Sequence, residues 1–579
     1  MVAPNKALEV EANGGGGGEH GAVAVSPSRS LANGLRQAHV LTAILAAIVV
    51  ESILFAMEVN LQWHWLVLYA ALLVPLSPIA KDAYTFYRGN LSESDASASS
   101  FALLTTSSFI SWIFAKSVQN ASTLGAKFGI LGGLAYAAWY TSFASSAYVC
   151  YRLRRKFKVH SLAQCVVQRY GPYAYLSYVA ITLYRLFNEV WSNSLVVATF
   201  YSDDPHNDQW WLAVIVSVLI PCLYVSLGGL RSSLVSDAIQ AALAIVLLVV
   251  VIGIITPKAR SDLILWNPKP AREVWSLEGG IDLVLVGLMQ GLLSYPFFDP
   301  VLTDRTFLAS PKTMLKSFVV GGTLAAGFIV MFSCIGIYGN MEAAYLQQNA
   351  AGETGVNGVT IEGLSKGLPS HVSRYISRTC FTLVNIVMLT SSISTLDSTF
   401  SSVSKLVGPE LMGFLRTRKP GTTSDATSRD IVAGRVAIVA LAVVGVLPLL
   451  SNLDALSATT ISGTVAMGLG PPMLFLEFCK GKRPLAFHLS FWLGVALGTV
   501  YQLSNEYPKD WSLRDLYMGD GSYKKLLGVN VLGACACFAA FWLGNLLDSR
   551  IWGKEEVFEP AGSQGGKYKQ RGLKGAEGR

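Results

Sequence analysis

Ser391, Ser394, Thr395 and Ser398 follow the i, i+3, i+4, i+7 spacing that puts four hydroxyls on one face of a helix, and Asp397 stands next to that face. Such a stripe of hydroxyl and carbonyl oxygens, with a carboxylate beside it, suits a hard monovalent cation. It equally suits close helix packing, with each hydroxyl bonded back to its own helix. Three more ionisable residues stand in apolar runs, where charge is costly and usually functional. Lys116 opens the polar stretch Lys116-Ser117-Val118-Gln119-Asn120 inside an otherwise apolar run. At the centre of a membrane helix a lysine costs about 2.5–3.5 kcal/mol, unless it snorkels from a span end. Arg185 and Glu189 are four apart, hence neighbours on one helical face and able to neutralise each other. Asn188 and Asn193 beside them add hydrogen-bonding groups that lipid would not solvate.

The elements that must hold these groups are membrane helices. Of 579 residues, 52% are hydrophobic and 14% charged, with a mean hydropathy of +0.44. Soluble domains carry roughly a quarter charged residues. A soluble enzyme, a nucleic-acid binder, a secreted disulfide scaffold and a disordered chain are thereby excluded as whole-chain readings. Apolar runs of roughly 18 to 25 residues recur, each long enough to cross about 30 Å of hydrocarbon. About fourteen are expected, near 38–58, 62–80, 101–120, 125–150, 172–200, 209–228, 233–255, 280–297, 314–340, 371–403, 430–450, 453–476, 485–503 and 526–547. The eight cysteines show no metal-ligand spacing and read as small buried hydrophobes.

The net charge of +8 concentrates in short loops, where Lys and Arg set orientation. Placing Arg152, Arg154, Arg155, Lys156 and Lys158 in the cytoplasm puts Arg231, Arg305/Lys312/Lys316, Arg416/Arg418/Lys419 and Lys480/Lys482/Arg483 there too. Both termini then lie inside. One loop dissents: 256–279 falls outside yet carries Lys258, Arg260, Lys269 and Arg272. Residues 1–36, with Gly14–Gly18, are expected to be a disordered cytoplasmic tail and not a secretory or transit peptide. Residues 37–550 form the transmembrane domain, and 551–579 a flexible cytoplasmic tail.

Two spans look broken. The third carries the polar, weakly helical stretch around Lys116. The eighth is interrupted by Gly287, Gly291, Tyr295-Pro296 and Asp299-Pro300. They lie five spans apart, the arrangement of an inverted-repeat transporter whose discontinuous helices surround a midplane site. A simple proline kink is the plainer alternative for the eighth.

At these residues the chain resembles the sodium:solute symporter family, which includes sodium/glucose and sodium/proline carriers. Leu227-Gly228-Gly229-Leu230-Arg231 with Ser236-Asp237-Ala238-Ile239-Gln240 is similar to the family's segment entering the fifth core helix. His160-Ser161-Leu162 with Gln168-Arg169-Tyr170-Gly171, Asp304-Arg305-Thr306-Phe307-Leu308-Ala309 and Ser394-Thr395-Leu396-Asp397-Ser398 resemble three further family stretches, in order. The resemblance runs from about residue 62 to 550. It implies an all-α polytopic membrane protein with a five-plus-five inverted-repeat (LeuT-like) core, 101–255 against 280–476, and extra helices on both sides. It implies a sodium ion held by Ser394 and Thr395 hydroxyls, the Ser391 carbonyl and the carbonyls of Trp112 and Ala115. Asp237 matches a carboxylate linked in some members to a further sodium or a proton, and Asp397 joins it as a cation-site candidate. Gln119 falls where sugar carriers place a substrate-contacting glutamine, and Lys116, Asn188, Glu189 and Gln290 complete the candidate substrate set.

Lys116 departs from the family, whose typical members have a small residue there. Its ammonium could mimic the cation, bind an anionic substrate, or be neutralised by Glu189. The expected function is therefore sodium-coupled symport of a small polar organic solute by alternating access. The alternatives are a proton-coupled or sodium-independent carrier, with Lys116 replacing the cation, and a sensor on a transporter fold. No nucleophile–base pair, P-loop or metal cluster points to an enzyme, no cofactor is expected beyond the coupling sodium, and the lipid bilayer of the plasma membrane is the expected setting.

Overall fold

The third apolar run breaks where its polar stretch begins. Ala98–Ser111 and Ala115–Phe128 are two helices bent by 58°, with Phe114 extended (φ −63°, ψ 143°) between them. Continuing straight would carry Lys116, Ser117 and Asn120 along one apolar axis. The bend instead turns all three into the protein, where each is buried. It also leaves the last carbonyls of one helix and the first N–H groups of the next without helical partners.

In a computed structural model the chain is described over 27–270, 273–349, 355–356, 358–423, 425–451, 454–507 and 513–552. The main helices are α1 Pro27–Ala56, α2 Leu61–Leu76, α3 Ala98–Ser111, α4 Ala115–Phe128, α5 Ile130–Ala137, α6 Thr141–Phe157, α7 Pro172–Ala198 and α8 Asp208–Ile255. They continue as α9 Asp282–Leu293, α10 Pro300–Arg305, α11 Pro311–Asn349, α12 Arg378–Lys405, α13 Ser428–Val444, α14 Ala455–Val465, α15 Pro484–Glu506 and α16 Lys524–Ile551. A two-stranded antiparallel ribbon, Gly355–Val356 with Val359–Thr360, follows α11.

Each expected apolar run falls largely on helix among the described residues. The runs 209–228 and 233–255 form α8, which turns at Gly229 (φ 57°, ψ −144°). A Cβ at Gly229 would meet the Phe86 carbonyl at 2.2 Å, and one at Gly228 the Pro78 carbonyl at 2.1 Å. Only glycine fits this turn. Among the described residues, seven helices are long and apolar enough to cross a membrane, and eight if α3 and α4 count as one bent span. The other runs give up hydropathy for interior polar groups, as α7 does with Arg185, Asn188, Glu189 and Asn193. α1 starts at Pro27, so 27–36 are helical where an unstructured leader was expected; proline is tolerated in a first turn. Residues 1–26 and 553–579 lie outside the described residues.

Contacts between loops follow the alternation that the basic clusters imply. On one side Arg152 binds Glu477 (2.7 Å), Arg154 donates to the Thr306 carbonyl (2.6 Å) and Arg88 to the Phe307 carbonyl (2.9 Å). On the other, Arg374 binds Asp203 (2.5 Å) and Asn267 donates to the Phe128 carbonyl (2.8 Å). The dissenting loop belongs to this second side, where Arg260 is engaged by Glu342 on α11 (2.8 Å) and Lys258 by the Ile376 carbonyl (3.2 Å).

Candidate functional site

Two buried polar clusters lie where α12 packs against α8, α7 and the broken pair α3/α4. The first is a seam of carboxylates and hydroxyls. Asp237 on α8 accepts from Ser107 (2.6 Å) and Ser111 (3.2 Å) on α3, and from Ser394 on α12 (2.6 Å). Asp397 accepts from Tyr224 (2.6 Å), Ser233 (2.8 Å) and Ser236 (2.8 Å) on α8, and from Ser398 (3.1 Å). The turn at Gly229 is what lets the two halves of α8 hold one carboxylate. Arg305, at the end of α10, closes the seam: it donates to Ser107 (2.9 Å), Ser111 (3.0 Å) and Ser398 (2.7 Å) and lies 3.4 Å from Asp237. All three charged groups are at most 1% exposed.

The second cluster is a tetrad. Lys116 Nζ donates to Glu189 (2.7 Å) and Ser192 (3.0 Å). Arg185 contacts Glu189 and donates to Asp299 through Nε (3.1 Å) and Nη2 (2.8 Å). Asp299 also caps α10, its second oxygen accepting from Val301 N (3.0 Å), with Pro300 at the first turn. The Pro296 and Pro300 interruption thus delivers a carboxylate to α7. Phe114, Tyr295 and Phe298 lie against the Arg185 guanidinium.

Beside the tetrad is a cavity of about 10 Å³, room for about one water. Trp112, Phe114, Tyr136, Trp139, Tyr140 and Tyr295 wall it, with Lys116, Arg185, Ser117 and Thr459. The Tyr136 hydroxyl contacts Ser117 (3.1 Å), Asn120 (3.4 Å) and Thr459 (3.3 Å), and Asn120 also lines a vestibule of about 550 Å³. On the side of the basic loops, a vestibule of about 820 Å³ reaches inward to Arg305. In it His160 binds Glu93 (2.8 Å), and Arg88 binds the same carboxylate (2.9 Å). The Glu93 contact raises the His160 pKa above its ordinary 6.5. Burial pushes the Glu93 carboxyl up, but His160 and Arg88 together outweigh it and hold the group below its ordinary 4.5.

The structure brings Asp237 and Ser394 into direct contact, and Thr395 donates to the Ser391 carbonyl (2.9 Å). The Trp112 carbonyl ends α3 and accepts from Tyr140 (2.8 Å), while Ala115, fully buried, begins α4. A carbonyl has two lone pairs and a hydroxyl oxygen stays an acceptor after donating, so these oxygens keep capacity for a cation. Three of the expected substrate residues stand away from this small cavity. Gln290 does not line it: it accepts from Trp139 (2.9 Å) and donates to the Thr460 carbonyl (3.0 Å), Thr464 (3.2 Å) and Asn530 (3.1 Å), which joins helices. Asn188 donates to the Ala458 carbonyl (3.1 Å) and does not line the cavity either. Gln119 faces the 550 Å³ vestibule. Their positions near a break do not say which way each side chain turns. Conversely, Arg305 reads in sequence as a loop charge but is buried in the seam, and Asp299 reads as a helix breaker but completes the tetrad.

No protein family's sequence profile matches the chain. Over 296 residues it is 23% identical to a protein named "Probable urea active transporter 2" from Schizosaccharomyces pombe, a match covering 46% of this chain and 42% of that relative. The matched stretch is thus less than half of the relative's length. The fold is that of a solved sodium-coupled sialic acid symporter, with a TM-score of 0.61 at 15% identity over 84% of this chain and 97% of the other. A nucleobase-cation-symport-1 family transporter aligns at a TM-score of 0.46 and 12% identity. The chain is an all-α polytopic membrane protein with the inverted-repeat fold of that neighbour, and α3/α4 is its bent, broken span among the described residues.

Proposed function

We propose that the chain is a secondary active transporter of the sodium:solute symporter type, importing a small polar organic solute on a sodium gradient by alternating access. The observation that carries this reading is the seam. The Ser394 hydroxyl meets the Asp237 carboxylate of α8, with Ser391 and Thr395 one turn or less away on α12, beside a helix broken between Ser111 and Ala115. A cation bound there favours the state that also binds solute, and this couples the two gradients. The two cations at the small central cavity are already matched by Glu189 and Asp299, which supports an uncharged solute. The partial likeness to a protein named a urea transporter agrees with that class. The proton-coupled or sodium-independent reading needs a free Lys116; its contacts with Glu189 and Ser192 support neutralisation instead.

The setting proposed is the plasma membrane with both termini cytoplasmic. Cysteines introduced at Arg155 and Thr422 should then resist an impermeant thiol reagent in intact cells, while one at Asp204 reacts. Counterflow uptake in proteoliposomes, across neutral, anionic and sugar solutes, with and without sodium, tests the function. Uptake of a small neutral solute only with sodium is expected; sodium-independent uptake would overturn the coupling.

A further inference from the structure

The first two helices form a hairpin in which α1 packs mainly along α2. Ile44, Ile48 and Glu51 recur at i, i+4 and i+7 on α1, and His64, Leu68 and Leu72 at i, i+4 and i+8 on α2, so each set lies on one helical face. The two faces line a groove of about 550 Å³, within the range of small-molecule sites. Its two ends differ in chemistry. At one, Glu51 Oε2 meets His64 Nδ1 (2.7 Å), and His64 Nε2 meets the Val59 carbonyl (3.1 Å). The other carboxylate oxygen, Glu51 Oε1, is buried without a hydrogen-bond partner among the described residues. This polar end adjoins the hairpin tip at 57–60, and Tyr201, two residues before Asp203, donates to the Gln62 carbonyl (3.1 Å). It therefore stands near the level of the lipid head groups. The aliphatic end lies deeper: the eight residues from His64 to Leu72 rise by about 12 Å.

A buried carboxylate oxygen without a donor, at the head of an aliphatic trough, fits an occupant with one hydroxyl and a long apolar body. An acyl chain brings no donor. A phosphatidylcholine brings only acceptors, which a carboxylate repels. We infer that the α1/α2 groove is a sterol site, in which the sterol hydroxyl donates to Glu51 and the ring system lies along Ile44, Ile48, Leu68 and Leu72. A membrane sterol already stands with its hydroxyl at the interface and its rings among the chains, so little orientational freedom is lost on entry. α2 also packs against α8 and α12, with the Tyr69 hydroxyl 3.5 Å from Thr390 Oγ1, so the occupant braces a helix that supports the seam. The site is independent of which solute or ion the chain carries.

The test is photolabelling of the purified full-length protein in phosphatidylcholine nanodiscs by a sterol with a diazirine on its rings, followed by peptide mapping. Label on α1 and α2 is expected, and unlabelled sterol should compete for it. The 3-methyl ether of the same sterol keeps the body and loses the donor. It should compete about 10- to 150-fold more weakly, the effect of losing a hydrogen bond to a charged group. This comparison uses the wild-type protein, so it stands even where a variant fails to fold. Ile48→Trp fills the groove from a position that is 57% exposed, and should abolish the label. Glu51→Leu should weaken the sterol to the level of its ether. Equal competition by alcohol and ether, or label no stronger on α1 and α2 than elsewhere on the protein, would leave only a crevice for lipid chains and overturn the site.

Discussion

The tetrad and the seam both bury charge on helices next to α12, and they solve the problem differently. In the tetrad two cations face two carboxylates: Lys116 and Arg185 share Glu189, and Arg185 also holds Asp299. The formal sum is zero, and the charged groups hold one another, with Ser192 and Asn193 adding single hydrogen bonds. In the seam two carboxylates meet one guanidinium, and hydroxyls provide most of the contacts. The formal sum is one negative charge in excess. A balanced cluster can lock helices but has no use for an ion, whereas an under-balanced cluster rich in neutral oxygens has room for one. Buried ionisable residues therefore mark function in a membrane protein only after their charges are counted.

The largest expected effect breaks the tetrad. Lys116→Met or Glu189→Gln alone strands a buried charge, which costs about 3–5 kcal/mol. Each single variant should lose monodisperse yield on size exclusion. The double variant leaves Arg185 with Asp299, still balanced, and should recover it. Failure of that rescue would mean that Lys116 has a role beyond pairing with Glu189.

The seam should respond in transport and not in folding. Ser394→Ala removes a proposed cation ligand and a donor to Asp237. It is expected to weaken sodium affinity by about 1–3 kcal/mol, roughly 5- to 150-fold, with solute affinity at saturating sodium preserved. Thr395 already donates within its own helix, so Thr395→Ala should fall at the low end of that range. Sodium activation curves unchanged in both variants would make the hydroxyls packing groups and erase the contrast with the tetrad.

The smallest effect separates both clusters from ordinary vestibule charges. His160 has a raised pKa, so its contribution is complete below its ordinary 6.5 and fades as pH rises through the higher folded value. Glu93 is lowered, so its contribution is present above its ordinary 4.5 and fades as pH falls through the lower folded value. The pair therefore stabilises most between about pH 4.5 and 6.5. His160→Gln should lower the melting temperature slightly in that window, with the gap to wild type narrowing at higher pH. A gap that widens with rising pH would contradict the assignment.

Much of this was legible in the residues. Helix-length apolar runs located the helices, because lipid forces each crossing backbone to satisfy its own hydrogen bonds. The hydroxyl spacing on α12 and the Gly228-Gly229 pair on α8 were visible because a helical period and a steric minimum are local properties. The Arg185–Glu189 pair was visible for the same reason. What was not legible was direction: Gln290 and Gln119 stand beside the breaks, as a substrate group would, but one turns into a helix junction and the other into a vestibule.

The sequence by itself determined that this chain lives in a bilayer, roughly where its helices lie, and which residues could hold a cation, since hydropathy, periodicity and side-chain chemistry act over a few neighbouring residues. Only the tertiary structure decided which charges cancel. Lys116 finds Glu189 seventy-three residues away, Arg185 finds Asp299 at one hundred and fourteen, and Arg305 reaches back sixty-eight to Asp237. Those partners are chosen by how α3, α4, α7, α8, α10 and α12 pack, and in a low-dielectric interior the partner, more than the residue, sets what a buried charge can do.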